Sequence, residues 1–296
     1  MSASKPPATL IYNPNAGRRR HAGTLDGLVA ILSRRWAVGV RSTGGPSEAI
    51  GLARDAAFRG DEAVFAWGGD GTVREVTEGL LGSSAALGVL PGGTFNVVAL
   101  ALGLPRTHPL EAAAALVRAE AAPRDAGLVG STPFVMQATF GFDGFLMSRL
   151  SADRKARYGM AGSLMDGLRA FRDYRYPWFD VLVDGNPHRV TGAGFVNMAE
   201  YAGPFEFVPG ARWDDRKGHV LLYSGRSHLA ALRFAVSLAL GRHHRGPHVL
   251  IREARDLVVL AGEGVFGQMD GDPWHGALPV RCRIAEERIQ VLIPRR

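Results

Sequence analysis

Cysteine is nearly absent: Cys282 is the single one in 296 residues. That excludes an internal disulfide framework and any zinc site built on several thiolates. Long apolar runs are missing too, since the most apolar segments, 111–122 and 229–240, are too short to span a bilayer. The stretch from Met1 to Ala8 has no apolar core, so no signal peptide is expected. There is no Gly-x-x-x-x-Gly-Lys-Ser/Thr loop, hence no P-loop nucleotide site. Nor does Gly-x-Gly-x-x-Gly stand at the first strand-to-helix turn, which removes the usual dinucleotide fingerprint. No repeat, low-complexity tract, long linker or recognised nucleic-acid module is found, so nucleic acid is not an expected partner. Acidic residues are outnumbered 28 to 35, and the net charge of +7 favours anionic partners such as nucleotides or anionic lipid headgroups. With 46% hydrophobic and 21% charged residues, the chain can build full cores, and its length suits two domains.

What the chain does have is Trp67-Gly68-Gly69-Asp70-Gly71-Thr72. It follows the apolar run Ala63–Trp67, which reads as a buried strand. It precedes Val73, Val76, Leu80 and Leu81, whose spacing is helical. Glycines at such a turn let backbone approach a ligand closely, and the amides of the helix start form an anion site. A lone carboxylate there would repel a phosphate, so Asp70 makes sense if a metal ion mediates between them. The plainer alternative is a glycine-rich turn with an Asp cap.

Taken in order, Ala8–Tyr12 reads as a strand running into the turn Asn13–Gly17 and then three arginines. Gly23–Arg35 reads as a helix, Trp36–Arg41 as a strand and Ser47–Arg59 as a helix started by Pro46. After the glycine turn come a strand at Ala86–Leu90, the turn Pro91–Asn96, and helices at Asn96–Leu102 and Pro109–Ala121. This alternation implies a mostly parallel sheet covered on both faces. Thr72 and Thr94 are each expected at a helix start, so that two turns face one phosphate group.

The pattern changes near Pro123. Strands are expected at Pro133–Phe140, Trp178–Val183, His188–Met198, His219–Tyr223, Val249–Arg252, Leu257–Ala261, Val265–Met269, Leu278–Ile284 and Arg288–Ile293. Helical stretches at Phe145–Tyr174 and Ser227–Leu240 interrupt them. Asp184-Gly185 is a hairpin signal. This half reads as an antiparallel sandwich or barrel, with domains at 1–124 (joined by a returning strand at 286–296) and 125–285. Late in it, Asp270-Gly271-Asp272 is either a plain hairpin or the carrier of a general base. Between Arg149 and Arg175, seven Arg/Lys (149, 154, 155, 157, 169, 172, 175) face three Asp (153, 166, 173). Leu146, Met147, Leu150, Met160, Leu164, Leu168 and Phe171 are interleaved with them, giving either an interfacial surface or ordinary packed helices. Gly241–Gly246 is a second basic loop, solvated or binding, whose two histidines have no neighbouring cluster to hold a metal.

Gly68-Gly69-Asp70-Gly71-Thr72, Pro91-x-Gly93-Thr94-x-Asn96 and the late Asp-Gly-acid turn occur in an order that resembles the diacylglycerol kinase catalytic-domain family. These are bacterial lipid kinases related to sphingosine and ceramide kinases. Asn13-Pro14-x-x-Gly17, Thr43-x-Gly45, Gly141-Phe142-Asp143, and Asn197 followed by Gly203, Pro209 and Ala211 strengthen the resemblance, which covers nearly the whole chain. It implies a Rossmann-like three-layer α/β domain similar to NAD kinase and phosphofructokinase, followed by an antiparallel β-sandwich.

The resemblance implies ATP- and Mg²⁺-dependent phosphorylation of a lipid hydroxyl. By it, Asn13, Thr43, Gly69, Asp70, Gly71, Thr72, Val73, Arg74, Glu75, Thr94 and Asn96 would hold the nucleotide, with Asp70 acting through Mg²⁺. Asp272 would be the base and Asp143 would meet the lipid headgroup. Asp215, with the carbonyls of Arg212 and Lys217, would hold a structural Mg²⁺. It further implies a cytoplasmic protein, peripheral at the inner membrane surface, with a homodimer as one option. This chain departs from the family at Arg74 (usually Asn), Val97 (often Asp), Arg216 (usually Gly) and Asp272 (usually Glu). An NAD-kinase-like small-molecule kinase and a binding protein without turnover are the alternatives.

Overall fold

The computed structural model describes residues 4–14, 21–150, 160–201 and 205–295. The second half of the turn after the first strand (15–17), the arginines at 18–20, Gly203, and residues 153–157 of the expected cationic surface lie outside them, as do the side chains of Met160 and Leu164. The chain divides into two units, one of residues 1–126, 200–204 and 285–296, the other of 127–199 and 205–284.

The first unit is a wound α/β array. Its elements are β1 (Pro7–Tyr12), α1 (His21–Leu32), β2 (Ala37–Ser42), α2 (Glu48–Phe58), β3 (Ala63–Gly68), α3 (Asp70–Leu80), β4 (Ala86–Pro91), α4 (Val97–Ala101), α5 (Pro109–Leu116) and the start of β5 (Glu120–Val129). The strands pair in parallel in the order β2-β1-β3-β4. Every residue of β3 and β4 is buried, as unbroken apolar runs inside a two-sided sheet should be. Helix α3 turns Val73, Val76, Thr77 and Leu80 inward. From β1 the chain steps outward to β2, then returns past β1 to β3. With right-handed crossovers, that reversal puts α1 on one face and α2 and α3 on the other. Accordingly α1 packs with α5, and α2 with α3. The reversal also opens a crevice at the C-terminal ends of β1 and β3, where such sheets bind ligands.

The helix expected over 109–121 stops at Leu116, and Glu120 already begins β5. Pro123 lies inside that strand, and a residue before proline prefers extended backbone.

The second unit is a sandwich of two antiparallel sheets. Its elements begin with β6 (Thr132–Phe134), β7 (Gln137–Gly141), α6 (Phe142–Arg149), α7 (Met160–Asp173), β8 (Phe179–Val183), β9 (Asn186–Val190) and β10 (Gly192–Val196). After the two-residue strands β11 (Glu200–Tyr201, in the first unit) and β12 (Phe205–Glu206) come β13 (Gly218–Tyr223), α8 (His228–Ala239), β14 (Val249–Ala254), β15 (Asp256–Val259), β16 (Gly267–Met269), β17 (Asp272–Trp274) and β18 (Val280–Ile293). One sheet runs β14-β13-β10-β7-β16-β17. In the other, β9 pairs with β8, β8 with β15, and β15 with Val280–Arg283 of β18. Phe134, Phe140, Phe195, Val181, Leu257 and Cys282 fill the core, and burial pushes the Cys282 thiol's pKa up.

Two expected strands prove to be pairs of strands. The run 188–198 breaks at Thr191, because β9 belongs to one sheet and β10 to the other. The Thr191 hydroxyl pins that corner by donating to the Gly225 carbonyl at 2.8 Å. The run 133–140 breaks likewise between β6 and β7. Conversely, the two strands expected at 278–284 and 288–293 are one continuous strand, β18. Glu286 and Glu287 interrupt its apolar alternation and disguise its continuity.

The basic loop after α8 is not simply solvated, because His243 is fully buried and its Nε2 bonds the Phe207 carbonyl at 2.8 Å. Burial holds the pKa of His243, and that of His219, below the ordinary histidine value. The unfolded chain therefore takes up these protons at a higher pH than the folded one, so stability present above about pH 6.5 is lost on acidification. The urea midpoint should fall as pH drops from neutrality toward 5, and His243→Gln, which keeps a donor for Phe207, should flatten that slope. An unchanged slope would remove His243 from the acid response.

Candidate functional site

In the first unit the loops leaving β1 to β4 are tied together by backbone. The Asn13 amide donates to the Trp67 carbonyl at 3.1 Å, the Thr43 amide to Tyr12 at 2.9 Å, and the Gly92 amide to Gly68 at 2.8 Å. Asn13, Thr43, the Gly68–Thr72 turn and the Gly92–Asn96 turn are thus brought to one edge of the sheet.

The glycines serve contact between turns first. A Cβ on Gly93 would sit 2.5 Å from the Gly69 Cα, and one on Gly92 3.0 Å from the Gly68 Cα. Both neighbours are backbone and cannot move aside cheaply. Gly93→Ala should therefore lower stability by about 1–3 kcal/mol. Gly45→Ala, with nothing within 4 Å of the new methyl, should change it little. Urea denaturation of the two variants checks the contrast; equal stabilities would remove the turn-on-turn contact as the reason for glycine.

Asp70 opens α3, and its Oδ1 accepts the Val98 amide at 3.1 Å. It therefore occupies the start of α4. Burial raises its pKa, an effect opposed by the amides of Val98 and Val97. The start of α3 differs: Gly69 is extended and no side chain caps the helix, so that end remains the anion-binding one. The expectation of two equivalent helix starts is corrected accordingly. Thr72 is buried in the first turn of α3, while Thr94 is exposed in the loop and precedes α4 by three residues.

The remaining residues of the expected nucleotide set make contacts within the protein. Asn96, buried with φ 48°, accepts the Gly93 amide at 2.8 Å and donates to the carbonyls of Gly93 and Arg106 at 3.0 and 2.8 Å. The side-chain amide therefore ties the turn both to itself and to the loop after α4. Glu75 accepts the Ser47 amide at 2.9 Å and so anchors the loop carrying Thr43 onto α3. Val73 is buried with its amide on the Gly69 carbonyl, and Arg74 pairs with Glu78 at 3.4 Å. Val97, often Asp in relatives of the resemblance, is buried at the start of α4.

In the second unit β16 and β17 form a two-residue hairpin. Asp270 and Gly271 both have positive φ, 50° and 88°, and Met269 pairs with Asp272. That is the twist-matched Asp-Gly turn. The two acids of the motif differ completely. Asp270 is 5% exposed, and its carboxylate accepts the amides of Val135, Met136 and Gln137 at 2.7, 2.8 and 3.1 Å. These are the amides freed where the chain changes sheet between β6 and β7. Asp272 is exposed at the start of β17.

A buried polar chain joins this hairpin to Asp143 in the first turn of α6. The Gln268 Oε1 accepts the Gly271 amide at 2.8 Å, and its Nε2 donates to Thr139 Oγ1 at 2.6 Å and to Asp143 Oδ2 at 2.9 Å. The Thr139 hydroxyl donates to the same Asp143 oxygen at 2.6 Å. Gln268 and Thr139 escaped the sequence reading. The available signal was that Gln268 stands two residues before the motif.

The segment expected to hold a structural Mg²⁺ is a tight turn: Asp215 Oδ1 accepts the Lys217 amide at 3.0 Å. Arg216 lies at φ 64°, a left-handed backbone that suits the glycine usual there and costs another residue about 1 kcal/mol. Arg212 pairs with Asp214, and Lys217 with Glu253 at 2.8 Å. No cluster of three or more His, Cys, Asp or Glu side chains occurs among the described residues. Asp215 is the one side-chain donor of the expected site, whose other ligands would be the carbonyls of Arg212 and Lys217.

A family model described as diacylglycerol kinase catalytic domain matches residues 7–129. Another, described as YegS C-terminal NAD kinase beta sandwich-like domain, matches residues 138–293. A diacylglycerol kinase of Bacillus subtilis (strain 168) is 27% identical over 295 residues, spanning 97% of this chain and 96% of that one. A diacylglycerol kinase of Mycobacterium tuberculosis (strain CDC 1551 / Oshkosh) is 28% identical over 296 residues, spanning 97% and 95%. The crystal structure of a diacylglycerol kinase from Bacillus anthracis str. Sterne aligns with a TM-score of 0.71 at 18% identity, covering 97% of this chain and 96% of that one. At that identity the likeness speaks for the fold.

Proposed function

This chain belongs to the family in which a diacylglycerol kinase catalytic domain is followed by a YegS C-terminal NAD kinase beta sandwich-like domain, and on that premise we propose that it transfers the γ-phosphoryl group of ATP to a diacylglycerol-like lipid hydroxyl. As a member it is a kinase of the lipid-kinase type. The observation that carries the finer reading is the pair of interlocked glycine turns at the strand-order reversal, beside the uncapped start of α3.

There the amides of Gly71 and Thr72, with Asn13, Thr43, Gly69 and Thr94 around them, receive the phosphates. Val73, Arg74, Glu75 and Asn96 hold the turns in shape rather than touch the nucleotide. Asp70 fits Mg²⁺ as a hard oxygen donor: burial destabilises its carboxylate, which a cation would offset. When bound, Mg²⁺ offsets charge on the phosphates. Asp215 is the weaker metal candidate.

Asp272 accepts the acceptor's hydroxyl proton as that oxygen bonds to the γ-phosphorus. The bond from phosphorus to the β-γ bridging oxygen breaks, and ADP leaves. Asp143, held by Thr139 and Gln268, meets the polar headgroup. We further propose that it works at the inner membrane surface, where a lipid acceptor is held. Among the described residues no helix is long and apolar enough to cross a membrane.

Labelled ATP, offered with diacylglycerol, monoacylglycerol, phosphatidylglycerol, sphingoid and polyprenol acceptors and read by product mass, tests this. A phosphorylated lipid is expected. Phosphorylated NAD without a lipid product would point to the small-molecule kinase, and ATP binding without transfer to a protein without turnover.

A further inference from the structure

Helix α8 is oddly placed for its composition. Its sequence, HLAALRFAVSLA, is apolar nearly all round, yet it buries none of its residues. One side is anchored: Phe234 meets the rings of Tyr223 and His243 at 5.0 and 5.8 Å, and His228 meets Phe171 at 5.2 Å. The other side is a stripe of Leu229, Leu232, Val236 and Leu240, which are 55%, 52%, 53% and 64% exposed. Their spacing of three, four and four places them on one face. The contact of Phe171 with His228 brings α7 alongside, where Leu168 is 63% exposed. An apolar face of this extent open to water signals an occupant.

The charges around it say which. From Arg216 to Arg252 there is no Asp or Glu, while seven Arg/Lys fall in the same stretch. Arg226 and Arg233 are exposed beside the stripe, and Arg242 and Arg245 just beyond its end. A second copy meeting this face about a twofold axis would set these arginines against their own counterparts, which is repulsive. An anionic bilayer complements both features. The helix is too short to span a bilayer, so it would lie in the interface plane.

We propose that α8 docks this protein on anionic membranes, its leucine stripe entering the acyl boundary while Arg226, Arg233, Arg242 and Arg245 meet lipid phosphates. The proposal extends the lipid-kinase reading by naming the surface through which the acceptor's membrane is reached, but its test does not need catalysis. The full chain should co-sediment with phosphatidylcholine vesicles containing phosphatidylglycerol. It should bind pure phosphatidylcholine weakly, and added salt should release it. The double variant Leu232→Glu/Val236→Glu should lower the vesicle partition coefficient at least about tenfold. Arg242→Glu/Arg245→Glu should abolish the preference for anionic lipid. Circular dichroism and melting of both should match the parent, since these side chains are exposed.

Absent vesicle binding by the parent, or unchanged binding by the folded leucine variant, would overturn the proposal. So would a dimer that this variant breaks while vesicle binding persists. A water-soluble short-chain diacylglycerol separates the two claims. Its phosphorylation should survive in the leucine variant while that of vesicle-borne acceptor falls. Loss of all lipid phosphorylation in the parent, with vesicle binding intact, would sink the kinase reading alone.

Discussion

Replacing Asp270 with alanine should cost about 3–5 kcal/mol of folding stability, seen as a lower urea midpoint at constant slope. The substitution leaves three buried amides, those of Val135, Met136 and Gln137, without an acceptor. Each such orphan costs about 1–3 kcal/mol, with partial relief as water or neighbours adjust. It also puts alanine at a φ of 50°, where a carboxamide or carboxylate side chain is better tolerated. Asp270→Asn should therefore cost less than alanine, because one oxygen acceptor survives. Activity should fall in both, since the hairpin that presents Asp272 rests on this anchor. An alanine variant within about 1 kcal/mol of the parent would mean that the corner between β6 and β7 finds other acceptors.

The second large effect is on rate. Asp272→Asn should reduce kcat by about 10²–10⁴-fold, the usual worth of a positioned general base, with KM for ATP nearly unchanged. Its stability should stay within about 0.5 kcal/mol of the parent, because the side chain is exposed. The two substitutions thus separate cleanly: one acid two residues from another, with opposite signatures in denaturation and turnover. Asp272→Glu completes the set. It restores the residue usual in the family the sequence resembles, one methylene longer, and should retain activity. Full turnover by Asp272→Asn would end the assignment of the base. Single-turnover kinetics on the lipid identified by the acceptor panel make the measurement.

Much of the first unit was legible because parallel α/β architecture writes itself in blocks: unbroken apolar strands such as Ala63–Trp67 alternate with helical spacing such as Val73, Val76 and Leu80. The second unit was harder because its strands change sheets. The run around Thr191 stays extended and apolar through the corner, so nothing local announces the break. The site followed the same division. That glycine was required at 68–69 and 92–93 was readable; that the reason is one turn lying against the other was not, since that contact joins residues some two dozen positions apart. Asn96 was expected at the site from its place in the Pro91-x-Gly93-Thr94-x-Asn96 motif; that its side chain also ties the turn to itself and to Arg106 was not readable. Asp270 and Asp272 are chemically identical in sequence. Only the orphaned amides at 135–137, far away in the chain, make the first one structural.

Strand β18 carries a consequence for how the molecule is made. Its residues Val280–Arg283 pair with β15, and Gln290 and Val291 pair with β4. It follows all of its partners in the chain. During synthesis, then, neither sheet can close when its other strands emerge. The fully buried residues of β4 must wait beside an open, apolar edge while nearly two hundred further residues are added. Such an edge invites pairing with other chains. The nascent protein is thus vulnerable until β18 has been made, and the two units complete their sheets together rather than one after the other.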